Sequence, residues 1–348
     1  MSKRFSVYLG FAALSLVLAA CGASQPLATG PAGNQVTLVL AAYTTPREAL
    51  GEIIQLFKAH WLAETGQTVV FEESYQGSGA QSRAVVEGFE ADIVALSLEA
   101  DVIRIEEAGL ITHDWKTVGA GGMMSDSIVA FAVRAGNPLS IDDWDDLADD
   151  GIEVLTPNPA TSGGAMWNVL GLYGAALRGH VEGVPGDDPH AAFEFLKAVL
   201  GNVLVLDDSA RDSITNYEQG IGHVAITYEN EVLVGQQAGA DYDLVIPSST
   251  ILIQNPVAVV DAYVDKHGSR LVAEAFVEFL FSPEAQEVFA QHGLRSVDPD
   301  VAANTADLYP PVPDLFTIDF FGGWPQVRVE IFGESGLFNL AIQEVQGQ

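Results

Sequence analysis

The chain of 348 residues has a single cysteine, Cys21, so no intramolecular disulfide is available and stability must come from packing. Basic residues are few: 15 Lys and Arg stand against 47 Asp and Glu, a formal charge of −32. That balance excludes the basic surface needed to hold nucleic acid and argues against docking on anionic lipid headgroups. Catalytic and metal motifs are also lacking. There is no His-Glu-x-x-His, no cysteine ligand set and no Walker-type Gly-Lys-Ser/Thr. Ser78 sits in Gln-Gly-Ser-Gly-Ala, without the spacing of a nucleophile elbow, and the seven histidines are scattered singly. An enzyme needs at least a base beside a nucleophile, and none is legible. The acidic run from Asp142 to Asp149 has no ligand spacing and reads as a solvated surface, so neither a metal nor a cofactor is expected.

What is present begins with an address. Lys3 and Arg4 precede an apolar stretch, Phe5 to Leu18, that is short for a membrane span. Leu18-Ala-Ala-Cys21 then resembles the lipobox of bacterial lipoproteins. Residues 1–20 are therefore expected to be a signal peptide and Cys21 the lipidated first residue. Residues 21–34, rich in Gly, Ala, Pro and Ser, read as a flexible linker.

From Gln35 the pattern is βαβα. Val36–Ala42 is an apolar strand, and Thr45-Pro-Arg-Glu48 reads as a capping box opening a helix with Leu50, Ile53, Ile54, Phe57 and Trp61 on one face. A second strand, Val69–Glu73, leads to a second capping box, Ser78-Gly-Ala-Gln81. A third strand spans Asp92–Leu98. A Gly-rich break at 119–124 precedes the strand Ser127–Arg134, and Ile141–Leu147 reads as a solvated helix. The organising stretch is Thr156-Pro-Asn-Pro-Ala-Thr-Ser-Gly-Gly-Ala-Met-Trp-Asn168, where a strand turns into the helix Ala165–Leu177. Ser162, Gly163 and Gly164 open that helix with a hydroxyl and two residues lacking a Cβ, which exposes backbone N–H groups to a ligand. With the helix dipole behind them these donors favour an anion. In an open parallel sheet such helix starts gather at the carboxyl ends of the strands, where ligands bind. Beyond 200 the pattern predicts strands at Val203–Leu206 and Val224–Thr227, a short helix at Ser213–Gln219, a strand at Thr250–Val260, two helices from Arg270 to Gly293 and a loop-rich tail.

With these residues in view the chain resembles the bacterial periplasmic sulfate-binding proteins, the solute receptors of sulfate/thiosulfate ABC importers. The resemblance rests on Tyr43 with Pro46-Arg47-Glu48, Gly77-Ser78-Gly79-x-Gln81, the long motif ending at Trp167, and Gly220-Ile-Gly222. Further support comes from Glu229-Asn-Glu231, Ser282-Pro-Glu284, and Leu315-Phe-Thr-Ile-Asp319 with Gly322-Gly-Trp324. It covers about residues 36–335.

The resemblance implies an α/β, type II periplasmic-binding fold with mixed, mostly parallel sheets and a hinge. Residues 35–124 and 250–348 would form one lobe and 125–249 the other. It also implies that a tetrahedral oxyanion is held by neutral donors at Ser78, Ser162, Gly163, Gly164 and Ala210. Two positions depart from the family pattern: its aspartate in the first loop is Thr44 here, and its tryptophan before Glu-Asn-Glu is Tyr228. A backbone donor at Thr44 survives the change, and the phenol can still donate. The expected protein is a monomeric receptor, lipid-anchored on the outer side of the cell membrane, that gives sulfate or thiosulfate to permease subunits. A molybdate, tungstate or phosphate receptor is the alternative within the class; a sensory lipoprotein and a serine hydrolase are alternatives outside it.

Overall fold

A computed structural model describes residues 34–347. Cys21 and the signal and linker segments lie outside the described residues. The chain opens with β1 (Gln35–Tyr43), α1 (Arg47–Thr65), β2 (Thr68–Gln76), α2 (Ser78–Val86), β3 (Ile93–Ala95) and α3 (Glu99–Glu107). It continues through β4 (Met123–Arg134), β5 (Val154–Pro157), α4 (Gly163–Leu177), α5 (Pro189–Gly201), β6 (Val203–Asp207), α6 (Ala210–Glu218), β7 (Val224–Tyr228) and α7 (Glu229–Gln237). Then come β8 (Tyr242–Val245), β9 (Thr250–Val259), α8 (Asp261–His267), α9 (Arg270–Phe279), α10 (Pro283–Gln291), α11 (Pro299–Asn304), β10 (Leu315–Phe316), α12 (Trp324–Glu330) and α13 (Leu337–Gln346).

The strands run in the order β2-β1-β3-β9-β4-β7-β5-β6, with β10 on β9 and β8 on β4. The βαβ units pair in parallel, β1 with β2 and β3 in one half of the sheet and β5 with β6 and β7 in the other. Every antiparallel pair involves β4 or β9. Residues 123–128 of β4 pair with β9, whereas 129–134 pair with β7 and β8. The sequence places a break at the glycines of 119–124, but the change of partner falls inside β4 itself. Two long neighbouring strands thus join the halves.

Packing follows the periodicities. Leu50, Ile53, Ile54, Phe57 and Trp61 form the buried face of α1, and Phe57 meets Phe276 edge-on at 5.1 Å. In the other half Phe131 meets Trp144 edge-on at 4.8 Å. Thirteen of the fifteen residues of α4 are buried, so the helix is core all round and its first turn is held rigidly.

Several expectations are corrected. Neither capping box forms. Pro46 takes the N-cap of α1 and the buried Thr45 hydroxyl makes no capping bond. Gly77 takes the N-cap of α2 while Gln81 turns to the carbonyl of Ser74. The helix expected at 141–147 shrinks to a 3-10 turn, Asp145–Ala148, because the carboxylates of Asp143 and Asp146 take up nearby backbone N–H groups instead. The helix expected from Ser213 starts at Ala210, capped by the Ser209 side chain. The tail carries three helices, α11 to α13. None of the described helices is long and apolar enough to cross a membrane.

Candidate anion-binding site

All seven residues expected to hold a ligand surround one small cavity between the halves: Thr44, Ser78, Ser162, Gly163, Gly164, Ala210 and Tyr228. Its volume is about 10 Å³, far below the roughly 300–1,000 Å³ of clefts for drug-sized ligands. Only a small solute fits. The cavity lies at the carboxyl ends of β1, β2, β3, β5, β6 and β7, so each lining loop is the step from a strand to the next element.

The first turns of α2, α4 and α6 point here. Ser78, Gly163 and Ala210 are the first residues of those helices, where N–H groups have no intrahelical acceptor. No hydrogen bond outside the helices takes up the N–H of Thr44, Ser78, Gly163, Gly164 or Ala210 among the described residues. By contrast the N–H of Ser162 donates to Asn158 at 2.8 Å, so this residue can offer a ligand only its hydroxyl. That hydroxyl makes no capping bond.

The two glycines are required by close approach. A Cβ at Gly163 would stand 2.6 Å from the Ser97 hydroxyl, and one at Gly164 would stand 2.7 Å from the Tyr228 ring. Either would push the α4 start away from the cavity.

The hydroxyl of Ser78 is already engaged. It donates to Asp101 at 2.6 Å and accepts the N–H of Ser97 at 3.0 Å. Asp101 is in turn held by Arg104 at 2.5 Å. The backbone N–H of Ser78 is therefore its natural offering to a ligand.

Tyr228, at the end of β7, shares a 2.5 Å hydrogen bond with Ser97. Ser97 also lines the cavity, and its carbonyl accepts from Trp167 at 3.0 Å and Asn255 at 3.3 Å, which fixes its backbone. Sequence reasoning missed Ser97. The available signal was its place just beyond β3, at the same carboxyl edge as the residues that were found. Tyr43 and Thr45 line the cavity as well; the Tyr43 hydroxyl is buried without a partner, and that of Thr45 lies against the Glu231 carboxylate.

Burial holds the phenols of Tyr43 and Tyr228 well above their usual range, so both remain neutral donors. No Lys or Arg lines the cavity. Arg211, next to Ala210, bonds Glu231 at 2.7 Å, Glu48 at 2.7 Å and 3.0 Å and the carbonyl of Thr45 at 3.4 Å. The lining is thus an array of converging neutral donors without a counter-ion, chemistry suited to an anion and unsuited to a metal ion. Among the described residues no cluster of His, Cys, Asp and Glu could hold a metal.

The family model for bacterial extracellular solute-binding proteins matches residues 38–295. The chain belongs to that family. It is 42% identical to the sulfate-binding protein of Synechococcus elongatus over 339 residues, covering 96% of this chain and 94% of the relative. Identity to the Escherichia coli sulfate-binding protein is 40%, over 90% of this chain and 94% of that one. The thiosulfate-binding protein of Pseudomonas aeruginosa is 34% identical over 97% and 98%. Among solved structures, the sulfate-binding protein SubI of Mycobacterium tuberculosis superposes with a TM-score of 0.77 at 39% identity, covering 84% of this chain and 98% of that one. The fold is that of the periplasmic binding proteins, and the family is one of solute receptors rather than enzymes.

Proposed function

We propose that this solute-binding protein captures sulfate, or the closely related thiosulfate, in the cavity between its halves and delivers it to the membrane subunits of an ABC importer. The observation that carries the reading is the convergence of five unbonded backbone N–H groups and neutral hydroxyls on one small cavity. The sulfate- and thiosulfate-binding relatives supply the ligand's identity.

A buried dianion loses a large hydration energy, so each oxygen needs partners. Hydrogen bonds to a charged group are worth about 1.5–3 kcal/mol each. Several together offset much of that loss and leave on the order of 8 kcal/mol, micromolar binding. A fully ionised anion suits an array dominated by donors, because it brings no proton that needs an acceptor.

In this reading residues 35–124 and 250–348 form one lobe and 125–249 the other, with β4 and β9 as the hinge. Lipid on Cys21 tethers a monomer to the outer face of the cell membrane. Calorimetric titration with sulfate, thiosulfate, molybdate and phosphate tests the ligand, with sulfate or thiosulfate expected tightest. Ser162→Asp sets a carboxylate against the anion and is expected to abolish binding with the fold intact; normal sulfate affinity in that variant would move the site elsewhere. Cys21→Ser is expected to free the protein from membranes or leave it unprocessed, and unchanged fractionation would refute the anchor.

A further inference from the structure

Beside the cavity, and sharing Ser162 and Gly163 with it, lies an open groove of about 260 Å³. Arg83 of α2 and Arg104 of α3 enter it from one half of the sheet, Asn158 and the start of α4 from the other, and Asn339 of α13 from the tail. The seam between groove and cavity is the hydrogen bond from the N–H of Ala80 to the carbonyl of Thr161, 3.1 Å long. Arg83 stands at this seam. A Cβ built on Gly79 would be 3.2 Å from the Thr161 carbonyl and 3.4 Å from Nη1 of Arg83.

Two features single out Arg83. With 47 acidic side chains and only 15 Lys and Arg, a cation in this protein finds a carboxylate easily. Arg104, Arg178, Arg211, Arg270, Arg295 and Arg328 all hold one; Arg134 instead donates to the backbone carbonyls of Tyr217, Ile221 and Gly222, and Arg47 lies over the Tyr75 ring. Arg83, half-buried in a concave site, holds none and donates no hydrogen bond among the described residues. The acid that shares the groove, Asp101, is already engaged by Arg104 and by the Ser78 hydroxyl. The groove therefore keeps a local positive charge on a strongly negative molecule.

That placement matters for capture. A net charge of −32 repels an approaching dianion, but salt at physiological strength screens the repulsion beyond about 8 Å. Inside that distance local charges decide the encounter.

We propose that the Arg83 groove is an outer anion site, where the oxyanion is first held before the seam closes over it. The inference rests on the reading of the cavity as an oxyanion site and adds the route of entry. Arg83 acts on the rate of capture, and the inner donors act on retention.

Stopped-flow tryptophan fluorescence with sulfate as the probe tests this, Trp167 being the reporter bonded to the cavity wall through the Ser97 carbonyl. Arg83→Gln is expected to slow association about threefold to tenfold at low ionic strength, with dissociation within about twofold of the parent. The difference should close near 1 M salt, where the screening length falls to about 3 Å. Arg83→Lys should keep the parent rate. Lys58→Gln on α1 removes the same charge outside the groove and should change association by less than about twofold.

Association of Arg83→Gln at the parent rate would overturn the proposal. So would an equal slowing by Lys58→Gln, which would reduce the effect to net charge, or a loss confined to dissociation, which would make Arg83 a closure contact. A parent that binds no sulfate, thiosulfate or phosphate overturns both readings, whereas a binding parent with an unaffected Arg83→Gln overturns only this one.

Discussion

Ser97 and Tyr228 give the cavity wall two hydroxyls 2.5 Å apart, and one of them must donate to the other. Whichever does so, the bond aims the remaining proton at a ligand and fixes its direction, so the pair acts as one unit. Tyr228→Phe should then cost about 1.5–3 kcal/mol, a tenfold to hundredfold loss of sulfate affinity of about that size. Ser97→Ala should cost a similar amount, and the double variant little more than the worse single one. A double-mutant cycle by calorimetry measures this directly, and strictly additive losses would mean two independent donors. The residue scale is also where the sequence speaks most clearly. The seven ligand candidates stand in contiguous motifs such as Thr161-Ser-Gly-Gly164, and the cavity gathers all of them. Ser97 has no such motif around it. Its role depends on a partner 131 positions away, a distance no local pattern encodes.

At the scale of elements, local rules gave way to tertiary partners. Ser78 and Thr45 have the sequence context of caps, yet Ser78 turns to Asp101 and Thr45 faces the cavity, which leaves helix-start N–H groups open. The amphipathic helices were legible because burial sets their period. The C-terminal helices were not, since α12 and α13 are short and stabilised by what they pack on.

The crossing pair β4 and β9 carries its own consequence. Asp126 of β4 forms a two-way backbone bridge with Arg295, but the guanidinium goes to Glu229 at 2.7 Å and 2.8 Å. Oδ1 of Asp126 is left buried and unbonded. Burial pushes this carboxyl up to about 7, against the pull of Arg295. The folded state thus binds the proton more tightly than the unfolded chain. This group's contribution to stability is greatest below about pH 4. It declines as pH rises towards 7 and is flat above that. Because part of the side chain meets water, the loss is set on the order of 2 kcal/mol rather than the full value for the shift. Asp126→Asn should therefore melt higher than the parent at pH 8 and equally at pH 4. A difference in melting temperature independent of pH would show that the carboxyl does not titrate with folding.

For the whole molecule the issue is how tightly the two halves stay shut. Among the contacts between them, Arg211 at the α6 start reaches Glu48 of α1 while bonded to Glu231 of α7. The two carboxylates are not equivalent. Glu231 is fully buried, and burial raises its pKa against the opposing pull of Arg211, so deleting the arginine would strand a buried acid and confuse opening with unfolding. Glu48 is about 39% exposed, and its loss leaves Arg211 still paired with Glu231. Glu48→Gln therefore isolates the closing contact. An exposed ion pair is worth up to about 1 kcal/mol, so sulfate should bind about twofold to fivefold more weakly. The change should lie in dissociation, because the pair forms only once the halves have met. Raising salt should bring parent and variant together, as screening removes what the exposed pair contributes. If Glu48→Gln instead slows association and leaves dissociation alone, the ion pair forms before closure, and the mouth is held by the backbone seam at Ala80 and Thr161.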